Sequence, residues 1–288
     1  MKQIKTILSA TGRNHWVGDG FNVRPVFANL AFTQDISPFL MFDYAAPRKF
    51  EATDAKRGVG PHPHRGFETV TIAFQGEIEH GDSVGNRGVI GPGDVQWMTA
   101  ASGIIHEEFL GQEFLKRGGV LEMVQLWVNL PTKDKMIAPK YQPILNQDIP
   151  EVQLPDSAGS VRVIAGSCAG VSGPASTYSP VNLWEIKLAA GKSVDLTVPK
   201  GHNNMLFVRQ GSIKLGSTEL GTADLALLEK EGTLIKLQAL ENCSVILMGG
   251  EPLDEPIAAS GPFVMNTEQE LRIAMMDYQS GRMGHLDG

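Results

Sequence analysis

Two pairs of side chains that commonly bind metals stand in the first half of the chain. His62 and His64 occur in "GPHPHRGFETV", and His106 and Glu108 occur in "SGIIHEEF". Side chains at i and i+2 of a β-strand point to the same face, and prolines at 61 and 63 favour extended backbone in the residues before them. If the fold brings the two strands together, three imidazoles and one carboxylate share one space. That donor set suits iron, copper, manganese or nickel and leaves two positions of a six-coordinate ion open.

The remaining histidines are weaker candidates. A lone histidine on a strand is more often a surface or core residue than a ligand, and we interpret His15, His80, His202 and His285 in that way. The two pairs differ because several buried polar groups without partners would cost free energy that a metal ion removes. The paired pattern therefore predicts a metal site.

Glu68 competes with Glu108 for the fourth ligand position. It follows His64 by four residues, so a regular strand would direct it to the same face. We prefer Glu108, and expect Glu68 to accept a hydrogen bond from a ligand imidazole or from Arg65. Phe67 and Trp97 are candidate pocket walls, although core packing is the preferred interpretation for any single aromatic residue here.

The sequence around these candidate ligands predicts β-strands. Runs rich in Val, Ile, Leu, Thr and aromatic residues, such as "ETVTIAFQG" and "NMLFVRQGSIKLG", end in Gly or Pro turns. The pattern occurs twice, with matching G-x-x-D turns at Gly91–Asp94 and Gly221–Asp224. An all-β fold of two stacked antiparallel barrels is therefore predicted.

The predicted domain boundary lies in a proline-rich stretch. The segment 131–155 carries five prolines and little periodicity, and we interpret it as a linker. The expected domains are residues 1–138, the metal-binding barrel, and residues 139–288, a barrel without metal followed by a C-terminal helix. Thr267 and Glu270 form a capping box for that helix, whose apolar positions predict one buried face. These positions are Leu271, Ala274, Met275 and Tyr278, and Gly281 is the expected stop.

Composition limits the class of protein. The 288 residues carry a net charge of −7 with a pI near 5.5, which argues against binding to a nucleic-acid backbone. Two cysteines make no disulfide framework, and we see neither a signal peptide nor an apolar run of membrane-spanning length. We expect a soluble cytoplasmic protein, and a monomer because two barrels in one chain supply the face that single barrels bury by dimerising.

The motifs resemble the cupin superfamily, and within it the pirin family. "HPHRGFETVT", "GVIGPGDVQWMTAASGIIHEE" and the tail "GEPLDEPIAASGPFVMNTEQELRIAMMDYQSGRMG" are similar to pirin signatures. The resemblance implies a bicupin fold with jelly-roll barrels and one metal ion, usually Fe(II), in the N-terminal barrel. It also implies His62, His64, His106 and Glu108 as ligands. Cu, Mn, Ni, Co or Zn stay open as alternatives to iron.

The resemblance implies two classes of function. Some bacterial pirins are similar to quercetin 2,3-dioxygenases, in which a flavonol and O2 react at the metal and the carboxylate, here Glu108, is both ligand and general base. Other pirins are redox-sensing regulators that bind a transcription factor or a metabolic enzyme. A third option is that another small aromatic metabolite is the substrate. Both main classes need the same ligands, so we expect a deep pocket that reaches the metal to favour the enzyme.

Overall fold

A computed structural model describes residues 1–9, 13–28 and 33–286. These residues form 26 strands and three α-helices, so the all-β prediction is confirmed. The strands are β1 Ile4–Leu8, β2 His15–Val17, β3 Phe21–Phe27, β4 Phe39–Phe50, β5 Gly58–His64, β6 Phe67–Gln75, β7 Ile78–Asp82, β8 Arg87–Ile90, β9 Val95–Thr99, β10 Ile104–Leu110, β11 Gly119–Asn129, β12 Lys140–Ile144, β13 Glu151–Gln153, β14 Gly159–Ala165, β15 Ser167–Cys168, β16 Val171–Ser172, β17 Val181–Leu188, β18 Ser193–Thr197, β19 Asn203–Gln210, β20 Ile213–Leu215, β21 Thr218–Leu220, β22 Leu225–Leu228, β23 Leu234–Ala239, β24 Cys243–Gly250, β25 Ala258–Ser260 and β26 Phe263–Met265. The helices are α1 Thr33–Ile36, α2 Gln112–Arg117 and α3 Glu268–Gln279.

The chain divides into two compact units. The N-terminal unit contains β2, β3, the segment 39–146 and the chain from Asp254 onward, whereas the C-terminal unit contains β1, α1 and the segment 147–253. The N-terminal unit has a seven-stranded sheet, in the order β12-β9-β6-β11-β4-β3-β2, and a four-stranded sheet, β5-β10-β7-β8. The C-terminal unit has the corresponding sheets β1-β22-β19-β24-β17-β14-β13 and β18-β23-β20-β21. Each unit is therefore a jelly roll of two open sheets rather than a closed barrel.

The internal repeat predicted from the sequence is present in this topology. Strands β9-β6-β11-β4 take the same places in one unit as β22-β19-β24-β17 in the other. The two G-x-x-D turns also match, because the carboxylate of Asp94 accepts a hydrogen bond from the Gly91 amide at 2.8 Å and that of Asp224 accepts one from the Gly221 amide at 2.9 Å. The aspartate is needed in each turn because it satisfies a backbone donor that the ladder leaves free.

Apolar side chains from both sheets of a unit share one core. In the C-terminal unit, Trp184 and Leu206 of the larger sheet pack in a cluster with Leu196 and Ile235 of the smaller one. Strand β18 shows the underlying pattern, since its residues alternate between exposed and buried. This burial is the main stabilising contribution to each unit.

The proline-rich segment 131–155 is not an open linker. It contains β12, which pairs with β9, and β13, which pairs with β14. Both are edge strands, and an edge strand tolerates Pro143 because it does not need every backbone N–H in a ladder. Hydrophobic periodicity missed these strands because they are short and contain prolines.

The two ends of the chain depart from the expected division at residue 138. Strand β1 pairs with β22 of the C-terminal unit, and α3 lies with β25 and β26 in the N-terminal unit. The predicted capping box is confirmed, since Thr267 accepts from the Glu270 amide and the Glu270 side chain accepts from the Thr267 amide. Its buried face is narrower than predicted, because Met275 and Tyr278 are exposed. Among the described residues, none of the helices combines the length and apolar character that a membrane crossing requires.

Candidate metal centre

Three histidines meet on neighbouring strands of the four-stranded sheet. Strands β5 and β10 are antiparallel, with His106 directly opposite His62. The ring centroids of His62 and His106 are 4.2 Å apart, and that of His64 lies 4.9 Å from each of the other two. One ring nitrogen from each of the three lies within 4.8 Å of the others. The structure therefore brings together the histidines that strand parity placed on one face.

An irregularity in β5 supports this arrangement. The register with β10 shifts between His106 and Glu108, whose partners on β5 are His62 and Val59. The extra residue lies on β5, near Gly60, and the Gly60 carbonyl oxygen lies 2.8 Å from Nδ1 of His62. A proton on Nδ1 can be donated to that carbonyl, which leaves Nε2 with a lone pair for a metal.

The buried imidazoles have the electronic state that metal ligation requires. Burial, followed by the proximity of His62, lowers the pKa of His64 to about 3, and burial lowers the pKa of His106 well below its usual value. Both rings are thus neutral near pH 7. Nδ1 of His64 and both ring nitrogens of His106 are buried without a hydrogen-bond partner. Unsatisfied buried nitrogens are costly, so this donor set fits a divalent transition metal.

Glu108 lies beside these histidines in a second group. Its carboxylate forms a possible metal-binding cluster with His106 and His80, and β10 pairs Glu108 with His80 on β7. Oε1 accepts a short hydrogen bond from the Gln96 amide, and Oε2 accepts one of 2.9 Å from the Gln125 amide. Two amides therefore hold the carboxylate in one orientation.

Those amides belong to a polar row across the seven-stranded sheet. Gln125 of β11 is paired with Asp43 of β4 on one side and with Thr71 of β6 on the other, and Thr71 is paired with Gln96 of β9. Directly paired residues project to the same face, so the row faces Glu108. Asp43, Gln96 and Gln125 were not predicted as site residues from the sequence. The available signal was a polar residue inside an otherwise apolar strand, as in "DVQWM" and "MVQLWV".

A cavity of about 410 Å³ adjoins the centre. The potential metal ligands that line it are His62, His64 and Glu108, and its other polar residues are His15, Asp43 and Gln125. The remaining walls are apolar, from Val17, Phe21, Val23, Met41, Val59, Met123 and Trp127. Three of the four potential metal ligands thus face a space of the size that small-molecule sites have, roughly 300–1,000 Å³.

The structure does not bring Glu68 or Trp97 to this cavity. Strand parity would direct Glu68 toward the histidines only if one continuous strand joined them, but β5 ends at His64 and β6 begins at Phe67 after a turn at Gly66. Gly66 has a φ of +88°, and a Cβ there would collide with the Val264 carbonyl. Along β6, Glu68 therefore projects away from the face that carries the polar row. Burial raises the pKa of Glu68 to about 7, and it accepts a 2.7 Å hydrogen bond from the Thr99 hydroxyl.

Phe67 and Arg65 lie next to the histidines in different ways. Phe67 is fully buried with its ring centroid 5.1 Å from that of His64 and 4.2 Å from that of Trp127. Arg65 is buried and forms a 2.8 Å ion pair with Asp277 of α3, rather than with Glu68. The C-terminal segment therefore holds the turn that joins β5 to β6.

Lys135 secures the same turn from another direction. Its buried Nζ donates to the Gly66 carbonyl at 2.7 Å, to Oδ1 of Asn129 at 2.6 Å and to the Val264 carbonyl at 3.0 Å. These bonds connect β11, the turn and β26. The position of His64 thus depends on residues far away in the sequence.

His80, which we interpreted from the sequence as a surface or core residue rather than a ligand, lies beside the centre. It is buried, its Nε2 is 3.1 Å from Oδ2 of Asp82, and its ring stacks on that of Tyr141 at 4.5 Å. Its centroid is 5.5 Å from that of His106. An H-x-D pattern at i and i+2 was the sequence signal for this residue.

Two family models match the chain. The model described as Pirin matches residues 20–128, and the model described as Pirin C-terminal cupin domain matches residues 183–284. A protein of Pseudomonas aeruginosa, provisionally named a quercetin 2,3-dioxygenase, is 51% identical across 98% of each chain. Pirin of Mus musculus is 34% identical, with 97% of this chain and 94% of the mouse protein covered.

Solved structures give a matching fold. The crystal structure of quercetin 2,3-dioxygenase from Acinetobacter baumannii has a TM-score of 0.96 and 46% identity, with 100% of both chains covered. A bacterial pirin from Escherichia coli in complex with nickel(II) has a TM-score of 0.65 and 18% identity, with 86% of this chain and 99% of that chain covered. The similarity to the second structure concerns the fold alone.

Proposed function

Because the chain belongs to the pirin family, we propose that it is a metal-dependent dioxygenase that opens the ring of a flavonol with O2. The observation that carries this proposal is the cavity of about 410 Å³, whose walls include His62, His64 and Glu108. A redox-sensing regulator needs the metal ligands but needs no enclosed space beside them. The cavity therefore favours an enzyme over a binding module.

We assign the metal to His62, His64, His106 and Glu108, and propose Fe(II) as the ion. When bound, such a metal supplies Lewis acidity and electron transfer to O2. The hydrogen bonds from Gln96 and Gln125 orient the Glu108 carboxylate. Fixing a carboxylate in this way lowers the cost of organising the site when substrate binds.

The cavity walls fit a flat aromatic substrate. Trp127 and Phe21 offer ring surfaces, and Met41 and Met123 offer flexible thioethers, which adapt to aromatic rings. The polar groups lie among these walls and can fix the orientation of a hydroxylated ring. The names of the relatives from Pseudomonas aeruginosa and Acinetobacter baumannii support quercetin or a related flavonol as the first compound to test.

The test measures O2 consumption by the purified, Fe(II)-loaded protein with quercetin. We expect uptake that depends on both metal and flavonol, and we expect Glu108→Ala to abolish it. Glu107→Ala is the matched control, since Glu107 approaches Lys56 and Arg87 instead of the cavity. If the metal-loaded protein consumes no O2 with any flavonol, the dioxygenase assignment is wrong, and the regulator becomes the better explanation of the site.

A further inference from the structure

A second carboxylate faces the cavity that holds Glu108. Asp43 lies on β4 and lines the cavity together with Met41, two residues earlier on the same face. Its side chain is buried, with 8% of its surface exposed, and its Oδ1 has no hydrogen-bond partner. Tyr44, on the other face, donates to Glu122. Asp43 is thus the acidic residue of β4 that is directed at the site.

The two carboxylates of the cavity differ in their hydrogen bonds. Both oxygens of Glu108 already accept hydrogen bonds from glutamine amides, and we propose that Glu108 is also a metal ligand. Oδ1 of Asp43 has no such partner. A buried acceptor without a donor destabilises a fold, and sites that bear this cost are often places where a ligand supplies the missing donor.

We propose that, when the substrate binds, Asp43 accepts the proton of the substrate hydroxyl that lies beside the histidines. The substrate O–H bond breaks, the proton passes to the Asp43 carboxylate, and the electron pair remains on the substrate oxygen. The substrate class is therefore an aromatic compound with an acidic hydroxyl, such as the 3-hydroxyl of a flavonol. This inference rests on the proposed function and places proton acceptance on Asp43 instead of Glu108.

The surroundings of Asp43 suit this role. Burial raises the pKa of Asp43 to about 6, and the nearby His15 opposes the rise. A base is most effective when its pKa lies close to the working pH. The titratable groups that line the cavity with Asp43 are His15 of β2, His62 and His64 of β5, and Glu108 of β10. Arg24 of β3 is paired with Tyr44 and therefore projects to the other face of β4. Asp43 is thus ionised and ready to accept near pH 7.

The test follows the proton when a flavonol binds without O2. Calorimetric titration of the Fe(II)-loaded protein with quercetin, under anaerobic conditions at about pH 7 and in two buffers of different ionisation enthalpy, counts protons released to solvent. We expect the wild type to release close to none, because the bound substrate anion raises the pKa of the neighbouring Asp43 carboxyl further, and Asp43 therefore keeps the proton. Asp43→Asn has a similar shape but cannot hold a proton, so it should release about one proton per quercetin and bind about 10-fold more weakly.

Three controls define the result. Luteolin, which lacks the 3-hydroxyl, should bind both proteins with equal affinity and no proton release. Asp54→Asn removes the same charge at an exposed position and should match the wild type. Metal content measured by elemental analysis should be unchanged in Asp43→Asn, because we assign Asp43 no metal bond.

The outcomes separate this inference from the proposed function. Equal proton release by wild type and Asp43→Asn, or no quercetin binding at all, overturns the role of Asp43. In turnover, Asp43→Asn should lower kcat about 100-fold or more and raise KM about 10-fold, in line with its weaker binding; an unchanged kcat likewise overturns the role of Asp43. If the wild type retains the proton in an Asp43-dependent manner but consumes no O2, the dioxygenase assignment fails while the role of Asp43 stands.

Discussion

The substitution Glu68→Gln should change how stability depends on pH. Glu68 is 1% exposed, and burial raises its pKa from 4.5 to about 7. In the folded protein the carboxyl group therefore keeps its proton between about pH 4.5 and pH 7, whereas in the unfolded chain it loses that proton. Since the folded state binds more protons in this interval, the free energy of unfolding falls as pH rises through it.

The size of the effect follows from the pKa difference. One pKa unit corresponds to about 1.4 kcal/mol, so a rise from 4.5 to about 7 lowers the stability of the wild type by about 3 kcal/mol across that interval. The glutamine side chain of the variant does not ionise and can still accept the hydrogen bond from Thr99. The variant should therefore equal the wild type near pH 4.5 and exceed it by up to about 3 kcal/mol near pH 8.

Urea unfolding of the metal-free proteins at several pH values measures this difference. Glu51→Gln is the matched control, because the side chain of Glu51 is 83% exposed. This variant should have the same stability as the wild type at every pH. A Glu68→Gln variant whose stability relative to wild type is the same at pH 4.5 and pH 8 would refute the reasoning. A fall in metal affinity would instead support the original expectation that Glu68 orients a ligand imidazole.

Two further substitutions test the centre and its support. His62→Ala should lower metal affinity more than about 100-fold, since residues that only orient ligands account for 10–100-fold, while leaving the fold largely intact by circular dichroism. Elemental analysis measures the metal content, with His202→Ala as the control variant. Full metal occupancy in His62→Ala would contradict the assignment of His62 as a ligand. Lys135→Met should destabilise the protein by about 3 kcal/mol or more, because three buried oxygens lose their donor. Thermal unfolding measures this loss of stability, with Lys133→Met at an exposed position as the control variant. A loss below about 1 kcal/mol would show that the three hydrogen bonds contribute little to stability.

Strand parity was reliable where a strand is continuous. His106 and Glu108 belong to one strand, β10, whose register with β7 is regular, so the i and i+2 rule places them on one side. The rule was wrong for Glu68 because a turn at Gly66 separates it from His64. Local sequence did not reveal that turn, since "RGFETV" also fits one extended strand.

The support of the site depends on contacts between distant segments. Arg65 pairs with Asp277, which lies 212 positions later in the printed sequence, and the assignment of α3 to the N-terminal unit follows from such contacts. Residue spacing carries no information about pairs so far apart. The expected domain boundary at residue 138 stays a prediction. In the structure, the N-terminal strand β1 belongs to the C-terminal unit, and the C-terminal helix α3 belongs to the N-terminal unit.

The all-β class, the internal repeat, the capping box of α3 and the cluster of His62, His64 and His106 could be predicted from the sequence, whereas His80 was not. These properties depend on local periodicity and on residue chemistry, which a single chain displays directly. The contacts of Gln96 and Gln125 with Glu108, and the position of Asp43 in the same cavity, became visible in the folded structure. Each of these residues is an isolated polar position within an apolar strand. Its role depends on which strands become neighbours in the sheet, and that choice is made by the burial of the whole core.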